Sequence, residues 1–420
     1  MKKVLGLTAI EAPFRSRLVE TQFFGPLAQA SQGGAWRLSF LSLVPATFFL
    51  GRPGVWGRLS GHLSRIRRTK SDLSLAGIVW RLQVTLYPLF PVQFNLRPLE
   101  AALFLAVSLP GLWLKLWATR PDLVIARSYP AALLAWLARR ALGIPYLFDL
   151  RGMYPEESVN AGRFELGSAG YHFWKGWERR LISSAARCVV VSQPFAEQLA
   201  SIDQGAKVSV IPCCVDQGSI RTGDKQALKA KYGLSGRFVL LHLGSFGTPG
   251  DRGLAGRYLK RFQTIRPDAV LVVASATPAF GPAIRDALQA EGLASGDYRV
   301  FHPSSAEVAE MLSLGDAGLI LERKMPNTKV CLSVKLGEYL AAGLPVICTP
   351  HVEGVARLVD RYQCGLIVDP DCDPPLDGER DFLNLYREFQ ENGFRLVSQQ
   401  LSLERCSARW REIIEQELSG

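Results

Sequence analysis

The segment Ser333-Val-Lys-Leu-Gly-Glu-Tyr-Leu-Ala-Ala-Gly-Leu-Pro-Val-Ile347 sets a cation, Lys335, and an acid, Glu338, close together at the start of one short helix. Ser333 is a fair N-cap, Gly343 closes the helix, and Pro345 leads into a strand. Leu336, Tyr339 and Leu340 take the core face, which leaves Lys335 and Glu338 on the other. As a surface pair they would contribute about 0.3 kcal/mol. Opening on a ligand site they do more: the helix end and Lys335 favour a diphosphate, and Glu338 accepts hydrogen bonds from ribose hydroxyls. The long loop at 322–332 favours the second reading.

Leu241-His-Leu-Gly-Ser-Phe-Gly-Thr248 is a second candidate. Gly244 and Gly247 allow close backbone approach, and Ser245 and Thr248 offer hydroxyls to phosphate oxygens. It is neither a nucleoside-triphosphatase phosphate loop nor a dinucleotide fingerprint. A third lies in Phe148-Asp-Leu-Arg-Gly-Met-Tyr-Pro-Glu-Glu157, where Asp149, Arg151 and Glu156 group together. Asp149 and Arg151 either cap a loop or face a cleft and orient a substrate. No metal is expected. Counted as a calcium loop, Asp369-Pro-Asp-Cys-Asp373 has Pro374 where glycine belongs and Arg380 where a bidentate glutamate belongs. The five histidines stand far apart.

These residues need strands to carry them. Val4-Leu5-Gly6-Leu7, Leu123-Val124-Ile125-Ala126, Tyr146-Leu147-Phe148-Asp149, Cys188-Val189-Val190-Val191 and Val208-Ser209-Val210-Ile211 form one series. A second begins at Phe238 and continues at Val270, Tyr298, Gly318 and Leu344. Short continuous apolar strands between helices indicate parallel sheets buried on both faces. Two series in tandem give an α/β chain of two doubly wound, Rossmann-like domains facing a cleft, at 1–216 and 217–400, with an amphipathic helix at 401–420. Ligands then bind beyond the carboxyl ends of the strands.

The Lys-x-x-Glu-Tyr-Leu-Ala-x-Gly-x-Pro-Val core of 335–346 resembles retaining glycosyltransferase family 4, of the GT-B fold. The Asp-x-Arg-Gly stretch at 149–152, Trp174-Lys-Gly-Trp-Glu-Arg-Arg180 and Val210-Ile-Pro-Cys-Cys-Val-Asp216 are similar to further parts of that family in the same order. The resemblance covers most of residues 120–370 and, loosely, the C-terminal helix, which would pack back on the first domain. It implies a nucleotide-sugar donor on the second domain and an acceptor on the first. It places Glu338 on the nucleotide ribose, but Val330 stands where the first glutamate of the family's pair would fall. Ser333 and the loop from Glu322 are then left to read the donor sugar. Arg323 and Lys335 are placed by motif to meet the diphosphate, Arg252 and Arg257 by distance only. The resemblance also implies front-face substitution, with Lys335, Asp149 and Arg151 in the catalytic constellation and no cofactor or metal.

The chain has 420 residues and a net charge of +11. Residues 1–216 carry 25 basic and 13 acidic side chains, so all the excess lies in the first half. Between 51 and 98, eight cations (Arg52, Arg58, Arg65, Arg67, Arg68, Lys70, Arg81, Arg97) and one acid, Asp72, interleave with Trp56, Trp80, Tyr87, Phe90 and Phe94. Apolar runs at 38–50 and 101–114 flank them. At 13 and 14 residues they fall short of the roughly 20 that span a bilayer, and read as core helices or interfacial segments. Cations beside aromatics suit an anionic membrane surface, and with no recognised nucleic-acid module no nucleic acid is expected. The eight cysteines form no Cys-x-x-Cys pair, which indicates a reducing cytoplasm, and no cleavable signal is read.

The expectation is a cytoplasmic glycosyltransferase, peripheral on the inner face of the membrane. It would move a sugar from a nucleoside-diphosphate sugar to a lipid-linked glycan acceptor in cell-surface glycan assembly. The alternatives are a nucleotide-sugar epimerase or hydrolase on the same fold, and a non-enzymatic basic protein binding membrane or nucleic acid.

Overall fold

The computed structural model describes residues 1–11, 17–46, 55–85, 98–220, 223–244, 246, 249–275, 277–304, 307–371 and 377–419. Contacts divide the chain into two compact units, Met1–Pro212 with Cys406–Gly420, and Cys213–Arg405.

In the first unit the described strands are β1 (Lys2–Ala9), β2 (Trp36–Pro45), β3 (Val79–Thr85), β4 (Leu123–Arg127), β5 (Tyr146–Leu150), β6 (Arg187–Val190) and β7 (Val208–Val210). They form one parallel sheet in the order β3-β2-β1-β4-β5-β6-β7. Chain order reverses between β1 and β4, where Val4 lies beside both Leu38 and Leu123. That reversal opens a crevice at the carboxyl edge of the sheet.

The apolar run at 38–50 is not a helix. As far as Pro45 it is strand β2, with Phe40, Leu41, Leu43 and Val44 all buried. A strand inside a parallel sheet is covered on both faces, so it shows no alternation and mimics a core helix in sequence.

The second unit repeats the design with β8 (Phe238–Leu243), β9 (Ala269–Ala274), β10 (Tyr298–Phe301), β11 (Ala317–Ile320), β12 (Val346–Cys348) and β13 (Gly365–Ile367). The order is β10-β9-β8-β11-β12-β13, all parallel, with the reversal between β8 and β11. Leu240, Leu271 and Leu319 build its core with Tyr258, Phe262, Ile284 and Phe382.

The units part at Pro212 and Cys406, where the sequence suggests 216 and 401. Val215 explains the difference. Its N–H donates to the Leu401 carbonyl at 2.8 Å and its carbonyl accepts from Leu403 N–H at 3.0 Å, which ties both segments into the second unit. The helix Leu403–Ser419 then packs on the first unit from Cys406 onward. Arg411 donates to the carbonyls of Ala30 at 2.8 Å and Gln32 at 2.6 Å, satisfying the end of the helix Gly25–Ser31.

The run at 101–114 belongs to the helix Pro98–Thr119, which connects β3 to β4. Among the described residues its window Ala102–Thr119 alone is long and apolar enough to cross a membrane, with mean hydropathy 1.4, and only 22% of that window is buried.

Candidate functional site

At the carboxyl edge of the second sheet, the end of β8 and the helix Val334–Ala341 are locked together by Tyr339. Gly318 on β11 makes room for that ring: a Cβ there would lie 2.3 Å from Tyr339 Cγ. The Tyr339 hydroxyl in turn accepts the Leu243 N–H at 2.8 Å. Gly244 follows with φ +95, a left-handed turn that a side chain resists, and a Cβ at Gly244 would lie 3.5 Å from Lys335 Cε. The lysine therefore lies over the turn at the reversal point, on the first turn of its helix.

Lys335 is half-buried. Burial pulls its pKa below the ordinary lysine value, while Glu322, Glu338 and Asp251 pull it back up. Glu322, immediately beyond β11, is pushed up by burial, offset by Lys335 and reinforced by Asp251. The Thr349 hydroxyl accepts from Glu322 N–H at 3.2 Å and donates to its carbonyl at 2.8 Å. The result is a desolvated ammonium at a helix N-terminus, where backbone N–H groups and a positive dipole already favour an anion.

The structure brings Gly244, Lys335 and Glu338 together as the sequence suggests. Arg323 is beside them: its N–H donates to Asp251 Oδ1 at 3.1 Å and its Nε lies 4.0 Å from the same oxygen. Ser333 stands at the N-cap but its side chain makes no capping bond, contrary to expectation. Ser245 and Thr248 lie outside the described residues. Arg252 turns to the Phe246 carbonyl at 2.9 Å, and Arg257 to Glu291 at 2.8 Å and Asp371 at 2.6 Å. Val330 is buried, and the acid near Lys335 in its stead is Glu322. Sequence reasoning took Glu322 only as the start of a loop and missed Asp251 and Thr349. The available signal was position, since Glu322 lies just past β11 and Thr349 directly follows β12.

In the first unit, Asp149 at the end of β5 is fully buried. Its Oδ2 lies 3.4 Å from Arg127 Nη1 and its Oδ1 3.6 Å from Arg151 Nη1. Arg127, which ends β4, also reaches Glu11 at 2.7 Å. Burial raises the Asp149 pKa, with Arg151 and Arg127 opposing and Glu11 adding to the rise. Gly152 has no room for a side chain, since its Cβ would fall 1.8 Å from Glu157 Oε1. Glu156 belongs to another cluster: Lys175 lies 3.2 Å from it, Tyr171 donates to it at 3.1 Å, and Lys175 also pairs with the buried Glu178, which Tyr129 meets at 2.6 Å.

Residues 61–214 match the family model of the glycosyl transferase 4-like domain. The whole chain superposes on sucrose-phosphate synthase from Thermosynechococcus elongatus, with TM-score 0.71, 13% identity and 100% of each chain covered. A glycosyltransferase from Rickettsia africae gives TM-score 0.68 at 16% identity, covering 100% of this chain and 99% of that one. HepE from Anabaena in complex with UDP gives 0.65 at 15%, covering 99% of this chain and 100% of that one. No curated protein matches by sequence. The chain has the GT-B fold, and its residues 61–214 are similar to a glycosyl transferase 4-like domain. Among the described residues, no group of three or more His, Cys, Asp or Glu could hold a metal ion.

The basic stretch needs one correction. Trp80, read as an interfacial aromatic, is buried and donates to the Ser42 hydroxyl at 3.0 Å. The other aromatics of that stretch lie outside the described side chains. Arg67, Arg68, Lys70 and Arg81 are exposed, while Arg65 pairs with Glu20 at 2.6 Å.

Proposed function

We propose that this protein is a glycosyltransferase that moves a sugar, with retention, from a nucleoside-diphosphate sugar to a lipid-linked glycan acceptor in cell-surface glycan assembly, working at the cytoplasmic face of the membrane. The observation that carries the donor half is the desolvated Lys335 over the Gly244 turn. A diphosphate there meets the helix N-terminus and the ammonium together, and relieves the lysine of its missing solvation. Glu338 takes the ribose hydroxyls, with Arg323 and the Ser333, Ser245 and Thr248 hydroxyls around the phosphates and sugar. HepE, a fold neighbour, has been captured with UDP and with UDP-glucose, which makes uridine diphosphate sugars the first donors to try.

In the reaction the bond from the anomeric carbon to the diphosphate oxygen breaks as the acceptor oxygen bonds to that carbon on the same face. The departing diphosphate takes the acceptor proton. Lys335 and the helix N-terminus stabilise the charge that develops on the leaving group. Asp149 and Arg151 are assigned to orient the acceptor or the donor sugar; no protein nucleophile is required, and no cofactor.

A thermal-shift screen of nucleotide sugars tests this reading. A true donor at roughly 100 times its dissociation constant adds about 2.7 kcal/mol of stability. If UDP-, GDP- and other nucleotide sugars neither stabilise the protein nor are turned over, the reading fails. Product analysis with and without an acceptor separates transfer from epimerisation and hydrolysis.

A further inference from the structure

The helix Pro98–Thr119 is inverted relative to an ordinary surface helix. Its inward face carries Phe104, Leu112 and Leu116 but also Ser108 and Lys115, all buried. Its outward face carries Leu99, Ala102, Leu103, Ala106, Pro110, Leu114 and Trp117, without one charge or hydroxyl. These recur every three or four residues, which makes one continuous stripe about 27 Å long. Leu99 is 81% exposed, Leu114 70% and Trp117 71%. Soluble proteins scatter single apolar residues over their surface, but a contiguous apolar stripe of this length marks a face that something covers.

The charge around the stripe indicates what covers it. Its C-terminal end is ringed by cations: Arg120 is exposed, Lys3 donates to the Thr119 carbonyl at 3.0 Å, and Lys2 stands at the same corner. Burial lowers the pKa of Lys115, and Arg81 on β3 is close enough to lower it further. The acid at that corner, Asp122, is taken by Lys2 at 3.3 Å and by the Lys3 N–H at 2.7 Å. An exposed tryptophan and leucine within a ring of lysines and arginines match the apolar boundary and anionic headgroups of a bilayer. The helix leads from the end of β3 back to the start of β4 in a parallel sheet, so its other end, with Glu100, lies at the carboxyl edge. The stripe thus runs toward the carboxyl edge of the first sheet.

We propose that the outward face of the helix Pro98–Thr119 docks flat on an anionic lipid bilayer, with Leu114 and Trp117 entering the acyl boundary and Lys2, Lys3, Arg81 and Arg120 meeting the headgroups. The inference rests on the proposed membrane-borne acceptor and locates the surface that would reach it. The face falls on the apolar run at 101–114 beside the basic stretch and shares Arg81 with it, whereas Trp80 of that stretch is in the core.

The test is flotation of the full chain with phosphatidylglycerol–phosphatidylcholine vesicles and with pure phosphatidylcholine vesicles. Trp117→Glu and Leu114→Glu are compared with the conservative Trp117→Phe. Wild type and Trp117→Phe are expected to float with the anionic vesicles, and each glutamate variant to lose about tenfold or more of that partitioning. Unfolding temperature and nucleotide-sugar binding in solution should stay at wild-type values in all of them, since these side chains lie on the outside of the first unit. Wild-type flotation that survives both glutamate substitutions overturns the assigned face and leaves the membrane-borne acceptor standing. Failure of wild type to float overturns both. A wild-type dimer by light scattering that Trp117→Glu splits, with no flotation, overturns the lipid assignment in favour of a second copy.

Discussion

At the end of β5 a carboxylate, Asp149, is buried between two guanidinium groups, whereas at the edge of the second sheet an ammonium, Lys335, is held among carboxylates. Both places are carboxyl edges of parallel sheets whose strand orders reverse in the same way. The difference lies in which sign is buried at the centre. Asp149 finds its counter-charges on its own sheet, from Arg127 on β4 and Arg151 just past β5. Lys335 has no described ion pair and faces Glu322, whose own burial favours protonation. A site that already holds its counter-ions is poorly suited to bind another anion. One that keeps a cation short of solvent and partner is suited to it. The comparison supports the proposed diphosphate binding at the second unit and a neutral group at the first.

The largest expected effect is on that assignment. Lys335→Met should weaken nucleotide-sugar binding by about 2 kcal/mol, roughly thirtyfold, by titration calorimetry. Stability should not fall with it. Burial lowers the Lys335 pKa below the unfolded value of 10.5, so the buried ammonium is a cost to folding that is fully present below the lowered pKa and fades as pH rises from there to 10.5. A variant that binds normally would return the diphosphate to some other cation and dissolve the comparison.

Gly318→Ala is next. The new methyl would sit 2.3 Å from the Tyr339 ring, so either the ring or the strand must move. Overpacking of this kind destabilises by about 1–3 kcal/mol. Because Tyr339 also holds Leu243 N–H, the Gly244 turn should loosen and nucleotide affinity should drop as well. Loss of stability with unchanged affinity would show that Tyr339 supports the core but not the site.

Asp149→Asn tests the other edge. Burial raises the Asp149 pKa above the ordinary value of 3.8, so between 3.8 and the raised value the folded state holds the extra proton. Wild-type stability relative to the variant should therefore decline as pH rises through that window, and stay at its lower level above it. Denaturant unfolding at a series of pH values reads this directly. A gap that widens with pH would mean that the two arginines outweigh burial. Turnover should fall about tenfold or more if Asp149 orients a substrate, with nucleotide affinity unchanged.

How legible these edges were in the sequence differs in the same way. The 333–347 helix could be read because its caps, core face and polar face lie within one continuous segment. Asp149 and Arg151 were legible as a pair because they flank one strand end. Arg127, Glu11, Glu322 and Asp251 were not, since each reaches its partner across neighbouring strands or loops and no sequence period encodes such contact. The fold class followed from strand spacing, yet β2 was missed because an apolar run covered on both faces has no alternation, and β3 because this edge strand, with Arg81 and Gln83, lies inside the basic stretch. The exposure of the helix Pro98–Thr119 was illegible for a related reason. An apolar stripe reads as core wherever it points, and only the packing shows which side the sheet took.

The smallest effect sharpens the contrast at single hydroxyls. In the first unit Ser192 caps its helix, accepting the Phe195 N–H at 3.2 Å, and Ser168 does the same for Tyr171 at 3.4 Å. Ser333 occupies the same position on the helix Val334–Ala341 without such a bond. Ser192→Ala should then destabilise by about 1 kcal/mol, while Ser333→Ala should change stability by less than about 0.5 kcal/mol. A hydroxyl that makes no capping bond, at a helix end beside Lys335, is available to meet a ligand. Ser333→Ala should therefore cost nucleotide-sugar affinity severalfold, while Ser192→Ala leaves affinity alone. Calorimetric unfolding and binding on the same two variants settle the matter. If Ser333→Ala instead lowers stability as much as Ser192→Ala and leaves affinity unchanged, the hydroxyl is a cap in solution and the phosphate end of the donor site must be rebuilt without it.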